Sequence, residues 1–209
     1  MKEQEIQKIL EDVGAITANS HFVFTHGNHS AVYISKDALY PHTKITSQLC
    51  KAIAEQFAKD RVDAVIAPVI GGVILSQWVA HHLTEITGRE VFGVYAEKDG
   101  AGGFVIKRGY DKLIAGKNVL VVEDMLTTGA SAKKVVEAAR ALGCKVVGLG
   151  ALFNRNETTA KDVANVPRLF ALYNKKLEDW PEADCPLCKK GVPINTDLGK
   201  GREYLARKR

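Results

Sequence analysis

The sequence has no long hydrophobic run, which argues against a membrane-spanning helix. None of its apolar segments reaches the roughly 18 to 20 residues that a bilayer requires, and the first residues, MKEQEIQKILEDVG, are too charged for a secretion signal. The chain also lacks internal repeats and low-complexity stretches. With 46% hydrophobic and 25% charged residues, its 209 residues have a globular composition, and we expect a cytoplasmic protein without membrane contacts.

The chain has only a small excess of positive charge and few cysteines. The 29 basic and 24 acidic side chains give a net charge of +5, which suits an anionic small molecule but is too diffuse for nucleic acid. The chain has four cysteines, which we expect to be reduced: Cys50, Cys144, Cys185 and Cys188. Cys185 and Cys188 have the spacing of half a zinc site but no second pair, which favours two free thiols in a tight turn.

Three histidines in the N-terminal part of the chain raise the same question of a metal site. They are His21, His26 and His29. Their spacing matches no closed set of ligands, and no carboxylate or thiolate lies among them in the sequence. Ordinary histidines, at the surface or in a small N-terminal substructure, are therefore favoured.

The stretch VLVVEDMLTTGAS, at residues 119–131, carries the strongest functional signal. Its apolar start predicts a buried parallel strand that leads into Glu123 and Asp124, then a turn of small residues, then a helix. Backbone N–H groups at a helix N-terminus bind phosphate, and Gly129 would let the backbone approach it closely. Nearby hydroxyls add donors, while the two carboxylates suit ribose hydroxyls or Mg²⁺. The stretch therefore predicts a sugar-phosphate site. The alternatives are a plain strand-turn-helix unit with solvent-facing acids and a Walker-type loop, which would need a glycine-lysine pair.

Other segments add candidate residues to this site. Residues 62–83 predict a strand, a turn containing Gly71 and Gly72, and a helix, which is a second arrangement suited to phosphate. Residues 89–113 predict two strands joined by the glycine-rich loop AEKDGAGG, which could close over a ligand. The buried strand at 145–155 ends at Arg155, and strand ends of open α/β sheets form the ligand crevice.

The stretch at 119–131 resembles the phosphoribosyl pyrophosphate (PRPP) signature of type I phosphoribosyltransferases. Residues 10–200 as a whole are most similar to orotate phosphoribosyltransferases. The resemblance implies an α/β fold, with a mostly parallel sheet flanked by helices and a small N-terminal hood. It implies one phosphoribosyltransferase domain over 1–209, with the N-terminal helix and hood at 1–37 and an irregular C-terminal extension at 175–209.

The same resemblance implies an activity: transfer of the 5-phosphoribosyl group from PRPP to orotate in pyrimidine biosynthesis. Mg²⁺ would be the cofactor, held mainly by PRPP and not directly by protein ligands. Lys98 and Asp124 would be catalytic. PRPP would contact Glu123, Asp124, Leu126, Thr127, Thr128, Gly129, Ala130 and Ser131; its pyrophosphate would contact Ile70, Gly71 and Gly72; and the base would contact Thr127, Arg155, Tyr33 and Phe22. In a homodimer, the loop at 96–103 would close over the partner's site.

Several of these assignments have alternatives. Lys98 could be a surface lysine in a hairpin, in which case Lys107 or Arg108 would neutralise the pyrophosphate. Arg155 could instead form a structural ion pair with Glu157.

The N-terminal hood leaves further alternatives open. Phe22 and Tyr33 could be core residues of a small sheet. Some family members have basic residues where Thr25 and Asn28 stand, so a purine base or uracil could replace orotate. A non-catalytic PRPP sensor is a further alternative, although the first 14 residues are too short for a helix-turn-helix.

Overall fold

The computed structural model describes residue 1 and residues 3–208, and the chain divides into two compact units. The first unit comprises residues 43–175 together with Met1. The second combines the N-terminal segment up to His42 with the C-terminal segment from Lys176 onward. None of the helices formed by the described residues is both long and apolar enough to cross a membrane.

The helices and strands follow in chain order. The N-terminal segment forms α1 (Glu3–Asp12), β1 (Ile16–Thr17), β2 (Phe22–Val23), β3 (His29–Ser30), β4 (Tyr33–Ile34) and α2 (Lys36–Leu39). The first unit forms α3 (Thr43–Phe57), β5 (Ala64–Pro68), α4 (Gly71–Thr87), β6 (Phe92–Lys98), β7 (Phe104–Val105), α5 (Tyr110–Ile114), β8 (Asn118–Leu126), α6 (Ala130–Ala141), β9 (Lys145–Asn154) and β10 (Leu169–Asn174). The C-terminal segment forms a 3-10 helix (Glu182–Asp184), α7 (Pro186–Lys189) and α8 (Gly201–Arg207).

A six-stranded sheet forms the centre of the first unit, in the order β10-β9-β8-β5-β6-β7. Its first five strands are parallel, and only the edge strand β7 runs antiparallel to its neighbour β6. The sequence predicted this mostly parallel α/β sheet, and the structure confirms it. The reason is that strands buried on both faces must be apolar at nearly every position, as in the runs at 64–67 and 119–122.

Helices cover both faces of this sheet. Helix α6 contributes Val135 and Val136 to the core on one face. On the other face, α3 lies so close to β9 that a Cβ on Gly150 would come within 2.6 Å of the Ile53 side chain. Two layers of helix around a parallel sheet hold the strand ends rigidly, and the functional residues lie at those ends.

The second unit contains two small antiparallel pairs, β1 with β4 and β2 with β3. The β2-β3 hairpin turns at His26-Gly27-Asn28, as predicted, and the Phe24 N–H donates to the Asn28 carbonyl over 2.8 Å. Sequence reasoning described the C-terminal segment as irregular, but it contains α7 and α8. Helix α8 was missed because only Gly201 within it is buried, so it lacks the apolar stripe by which an amphipathic helix is recognised.

Candidate active site

The candidate site residues of the first unit lie at or after the carboxyl ends of the strands of the parallel sheet. From β5 the chain continues to β6 on one side, and from β8 it continues to β9 on the other. β5 and β8 therefore flank the topological switch point, where open α/β sheets bind their ligands. The turn at 69–72 and the stretch at 123–131 both begin at this point.

The acidic pair is part of the strand itself. β8 continues through Glu123 and Asp124 to Leu126, further than the apolar run alone indicated. Each of the two acidic residues is only 6% exposed, so the alternative of a solvent-facing acidic pair is wrong. The Asp124 N–H donates to Glu123 Oε1 over 3.1 Å. Burying two carboxylates beside each other is costly, which makes the pair a candidate for a functional role.

A cradle of backbone follows the acidic pair. Residues 125–131, together with Glu123, line a cavity of about 140 Å³ at the start of α6. Gly129 has φ +74°, which a residue with a side chain adopts only at a cost. A Cβ at this position would also lie 2.7 Å from Val163 and 2.9 Å from Thr158. Glycine is therefore required both by the backbone conformation and by close packing, and the binding of a phosphate by the N–H groups of this turn stays a prediction.

Arg155 lies beside this cradle. Its N–H donates to the Leu126 carbonyl over 3.1 Å, which places it at the end of the neighbouring strand, and its side chain is buried. Two residues that sequence reasoning missed fix the loop that follows. Asn154 exchanges two hydrogen bonds of 2.9 Å with the backbone of Thr158, whose hydroxyl donates to the Thr127 carbonyl. The only sequence signal for them was an amide and a hydroxyl four positions apart at a strand end.

The second glycine turn also packs closely. A Cβ on Gly72 would lie 2.6 Å from the Ala67 Cβ, so only glycine lets α4 begin directly against β5. Gly71 is the first residue of that helix. Ile70 before it is 87% exposed, and the Val69–Ile70 peptide bond is cis. The glycine pair lets the helix begin at the switch point, and the binding of pyrophosphate by this turn stays a prediction.

The glycine-rich loop is the tip of the β6-β7 hairpin. Lys98 is exposed and lies in a cavity of about 420 Å³ that Ser131 and Lys134 also line. The Asp99 carboxylate accepts 2.8 Å hydrogen bonds from the N–H groups of Ala101 and Gly103, which lower its pKa and fold the loop. The Lys134 ammonium donates to the Gly102 carbonyl. The cavity thus contains two cations next to the phosphate cradle, and the contribution of Lys134 was not predicted.

The other two candidate cations of this region differ in their contacts. Arg108 forms an ion pair with Glu97, and that hydrogen bond raises the pKa of Arg108 further. Lys107 is exposed. Arg108 is therefore occupied by a structural partner, whereas Lys98 faces a cavity.

Phe22 and Tyr33, the predicted base contacts, belong to the second unit. Phe22 is completely buried, and its ring centroid lies 5.4 Å from that of Tyr33. Asn28, which replaces a basic residue of some relatives, donates to the Asp179 carboxylate over 3.0 Å. Within its unit Phe22 is a core residue, whereas Tyr33 is half-buried and keeps part of its ring accessible.

Comparisons with known proteins agree with this architecture. Residues 35–183 match the model of the phosphoribosyl transferase domain. An orotate phosphoribosyltransferase from Thermus thermophilus is 36% identical over 190 residues, covering 91% of this chain and 98% of the relative. The orotate phosphoribosyltransferase from Thermoanaerobacter sp. is 32% identical over 194 residues, covering 93% and 96%.

A solved structure shows the same fold. The crystal structure of orotate phosphoribosyltransferase from Aeropyrum pernix superimposes with a TM-score of 0.64 at 26% identity, covering 81% of this chain and 93% of that one. The predicted fold and family are therefore confirmed. On the domain match and on relatives similar over nearly their whole length, the chain belongs to the orotate phosphoribosyltransferases, within the phosphoribosyl transferase domain family.

Proposed function

We propose that this enzyme transfers the 5-phosphoribosyl group from PRPP to orotate, forming orotidine 5′-monophosphate and pyrophosphate in pyrimidine biosynthesis. The observation that carries the proposal is the buried pair of Glu123 and Asp124, which leads directly into a glycine-dependent anion cradle at the switch point. The names of the relatives from Thermus thermophilus and Thermoanaerobacter sp. supply the base.

The cradle at 127–131 binds the 5′-phosphate through backbone N–H groups and hydroxyls. Glu123 and Asp124 accept hydrogen bonds from the 2′ and 3′ hydroxyls of the ribose and balance the positive charge that develops on its ring. Their buried oxygens are also the kind of donor that suits Mg²⁺, which would arrive with PRPP and neutralise pyrophosphate charge. Binding energy from the remote phosphate positions the anomeric carbon for reaction.

The chemical step moves one bond at the anomeric carbon. N1 of orotate releases its proton to solvent and bonds to this carbon as the carbon–oxygen bond to pyrophosphate breaks, and pyrophosphate leaves with the electron pair. The turn at Gly71 and Gly72 would hold the leaving group, and Lys98 would add a cation from the hairpin. A cation placed where charge develops stabilises the transition state more than the ground state.

Arg155 and Thr127 orient the base. A guanidinium group pairs with a carboxylate through two parallel hydrogen bonds, which matches the carboxylate of orotate. Purines and uracil lack this group, so Arg155 favours orotate over the alternative bases. Contacts of Tyr33 and Phe22 of the hood with the base stay a prediction.

Three further elements stay predictions: Mg²⁺ as the activating ion, a cytoplasmic location, and a homodimer in which the loop at 96–103 closes over the partner's site. The loop of this chain contacts Lys134 of the same chain, so a transfer to the partner would require that contact to break. Measuring the mass of the assembly in solution tests the dimer directly.

The experiment is an assay of pyrophosphate release from Mg²⁺-PRPP, run in parallel with orotate, uracil, hypoxanthine and xanthine. We expect release with orotate alone. Release with a purine or uracil but not orotate would reassign the base. PRPP binding without release for any base would favour the non-catalytic sensor.

A further inference from the structure

The second unit contains a buried cluster of two histidines and two cysteines, remote in sequence from one another. Cys188 follows His29 by 159 positions. The ligand atoms of His21, His29, Cys185 and Cys188 all lie within 4.8 Å of one another. In the sequence the histidines lacked a thiolate and the cysteines lacked a second pair, and folding supplies each half with the other. Because all four residues belong to the same unit, the cluster needs no second subunit.

The geometry matches a tetrahedral ion. With zinc at ~2.3 Å from sulfur and ~2.0 Å from nitrogen, two ligands of one ion lie about 3.3 to 3.8 Å apart. His21 Nε2 lies 3.5 Å from Cys185 Sγ and 3.7 Å from Cys188 Sγ, and His29 Nδ1 lies 3.4 Å from Cys188 Sγ. The two imidazole nitrogens are 2.8 Å apart and would separate by about half an ångström around an ion.

The main-chain hydrogen bond of His21 directs its Nε2 lone pair at the thiols, and His29 offers an Nδ1 lone pair in the tautomer that carries the proton on Nε2. His21 Nδ1 lies 2.8 Å from the Val192 carbonyl, to which it can only donate. In the neutral ring Nε2 is therefore the nitrogen with a free lone pair, and a carbonyl partner of this kind is the usual outer-shell support of a metal-bound histidine. His29 Nε2 is buried and has no hydrogen-bond partner among the described residues, so this ring makes its polar contacts through Nδ1.

Main-chain pairing fixes the positions of the four side chains. His29 and Trp180 exchange two backbone hydrogen bonds of 2.7 and 2.8 Å, and the Asn195 N–H donates to the His21 carbonyl over 2.8 Å. In the sequence the two cysteines lie between Trp180 and Asn195; Cys185 directly precedes α7 and Cys188 lies within it. Cys188 N–H donates to Cys185 Sγ over 3.5 Å, a contact that stabilises a thiolate. The site is therefore arranged before an ion enters.

Charge and burial decide the kind of site. Two thiolates and two neutral imidazoles bring a charge of −2, which one divalent ion cancels, so a neutral assembly is buried. His21 and His29 are at most 1% exposed, Cys185 is fully buried and Cys188 is half-buried. Four protein ligands fill a tetrahedral ion, so no position remains for water or substrate. Closed tetrahedral sites with mixed sulfur and nitrogen ligands select zinc and serve structure.

We propose that His21, His29, Cys185 and Cys188 bind one zinc ion that fastens the C-terminal segment to the β2-β3 hairpin. The two antiparallel pairs of this unit have strands of only two residues, so a metal cross-link supplies stability that so small a sheet cannot. This role is independent of the reaction at the switch point.

The test uses the full chain, produced without a histidine tag in zinc-supplemented medium and then dialysed. We expect about one zinc ion per chain by mass spectrometry of the metal content. Replacement by Co²⁺ should give the charge-transfer bands of thiolate bound to tetrahedral cobalt. Cys188→Ser and His29→Ala should lose the ion, whereas the matched controls Cys50→Ser and His26→Ala should keep it, because Cys50 lies in the other unit and His26 is exposed.

The proposal would be overturned by a wild-type chain without zinc, by cobalt spectra without thiolate bands, or by a zinc content unchanged by Cys188→Ser. A disulfide between Cys185 and Cys188 in protein kept free of reductant would do the same. If the variants fail to fold, the wild-type chain is treated with a mercurial reagent that modifies thiols. This treatment should release the zinc ion, and a failure to release zinc would count against the site. Excess Mg²⁺ is present in all of these measurements, so that the zinc site is distinguished from the Mg²⁺ that the reaction would need.

Discussion

Replacing Gly129 by alanine tests the anion cradle most sharply, because two separate penalties act at this position. An alanine at φ +74° costs about 1 kcal/mol. Its Cβ would also come within 2.7 Å of Val163 and 2.9 Å of Thr158, and overpacking of this kind costs roughly 1 to 3 kcal/mol. We therefore expect Gly129→Ala to lower the free energy of unfolding by about 2 to 4 kcal/mol.

The matched control is Gly88→Ala. Gly88 has nearly the same backbone conformation, φ +66°, but nothing lies within 4 Å of a Cβ placed there, so only the conformational penalty of about 1 kcal/mol applies. Urea denaturation of both variants isolates the packing contribution. Because the contacts of Gly129 line the phosphate cradle, Gly129→Ala should also raise the KM for PRPP at least about tenfold, and Gly88→Ala should leave it unchanged. Equal losses of stability in the two variants, with equal KM values, would refute this account of the cradle.

The remaining predictions concern the leaving group, the base and the second glycine turn. Lys98→Ala should lower kcat about 10²- to 10³-fold with PRPP binding largely intact, whereas Lys107→Ala should change kcat little; the reverse result in steady-state kinetics would transfer the role to Lys107. Arg155→Lys should raise the KM for orotate about 10- to 100-fold and leave the KM for PRPP unchanged, since one ammonium group cannot replace two parallel hydrogen bonds. An unchanged KM for orotate would show that Arg155 does not bind the base. Gly72→Ala should destabilise the chain by about 1 to 3 kcal/mol in denaturant titration, because its Cβ would lie 2.6 Å from that of Ala67, and a fully stable variant would contradict this packing.

The sheet was predictable because its strands are buried on both faces. Runs such as 64–67 and 119–122 must be apolar at successive positions, and few other elements of this length are. The acids near the end of β8, followed by hydroxyls and a glycine, then predicted the cradle at a strand end. The stretch at 119–131 predicts a phosphate site because backbone N–H groups bind phosphate. A glycine in the sequence indicates where the backbone can approach the phosphate closely.

The missed features share one property, which is that they depend on contacts between distant parts of the chain. The second unit joins the N-terminal and C-terminal segments, and neither segment alone indicates the other. The cluster of His21, His29, Cys185 and Cys188 could not be assembled from local spacing, since a metal site is recognised in sequence only when its pairs lie near each other. The sequence likewise indicated only that Lys134 belongs to a helix. The structure shows that it lines the same cavity as Lys98 of the glycine-rich loop.

The central claim is that PRPP binds at the carboxyl ends of the central strands β5 and β8, with the buried carboxylates hydrogen-bonded to its ribose hydroxyls. Calorimetric titration of the full chain and of Asp124→Asn with PRPP in the presence of Mg²⁺ tests it most directly. We expect about one site per chain in the wild-type protein and an affinity weakened by at least about tenfold in the variant, as one lost hydrogen bond to a charged group implies. Absence of heat with the wild-type chain, or equal affinity in both proteins, would contradict the claim.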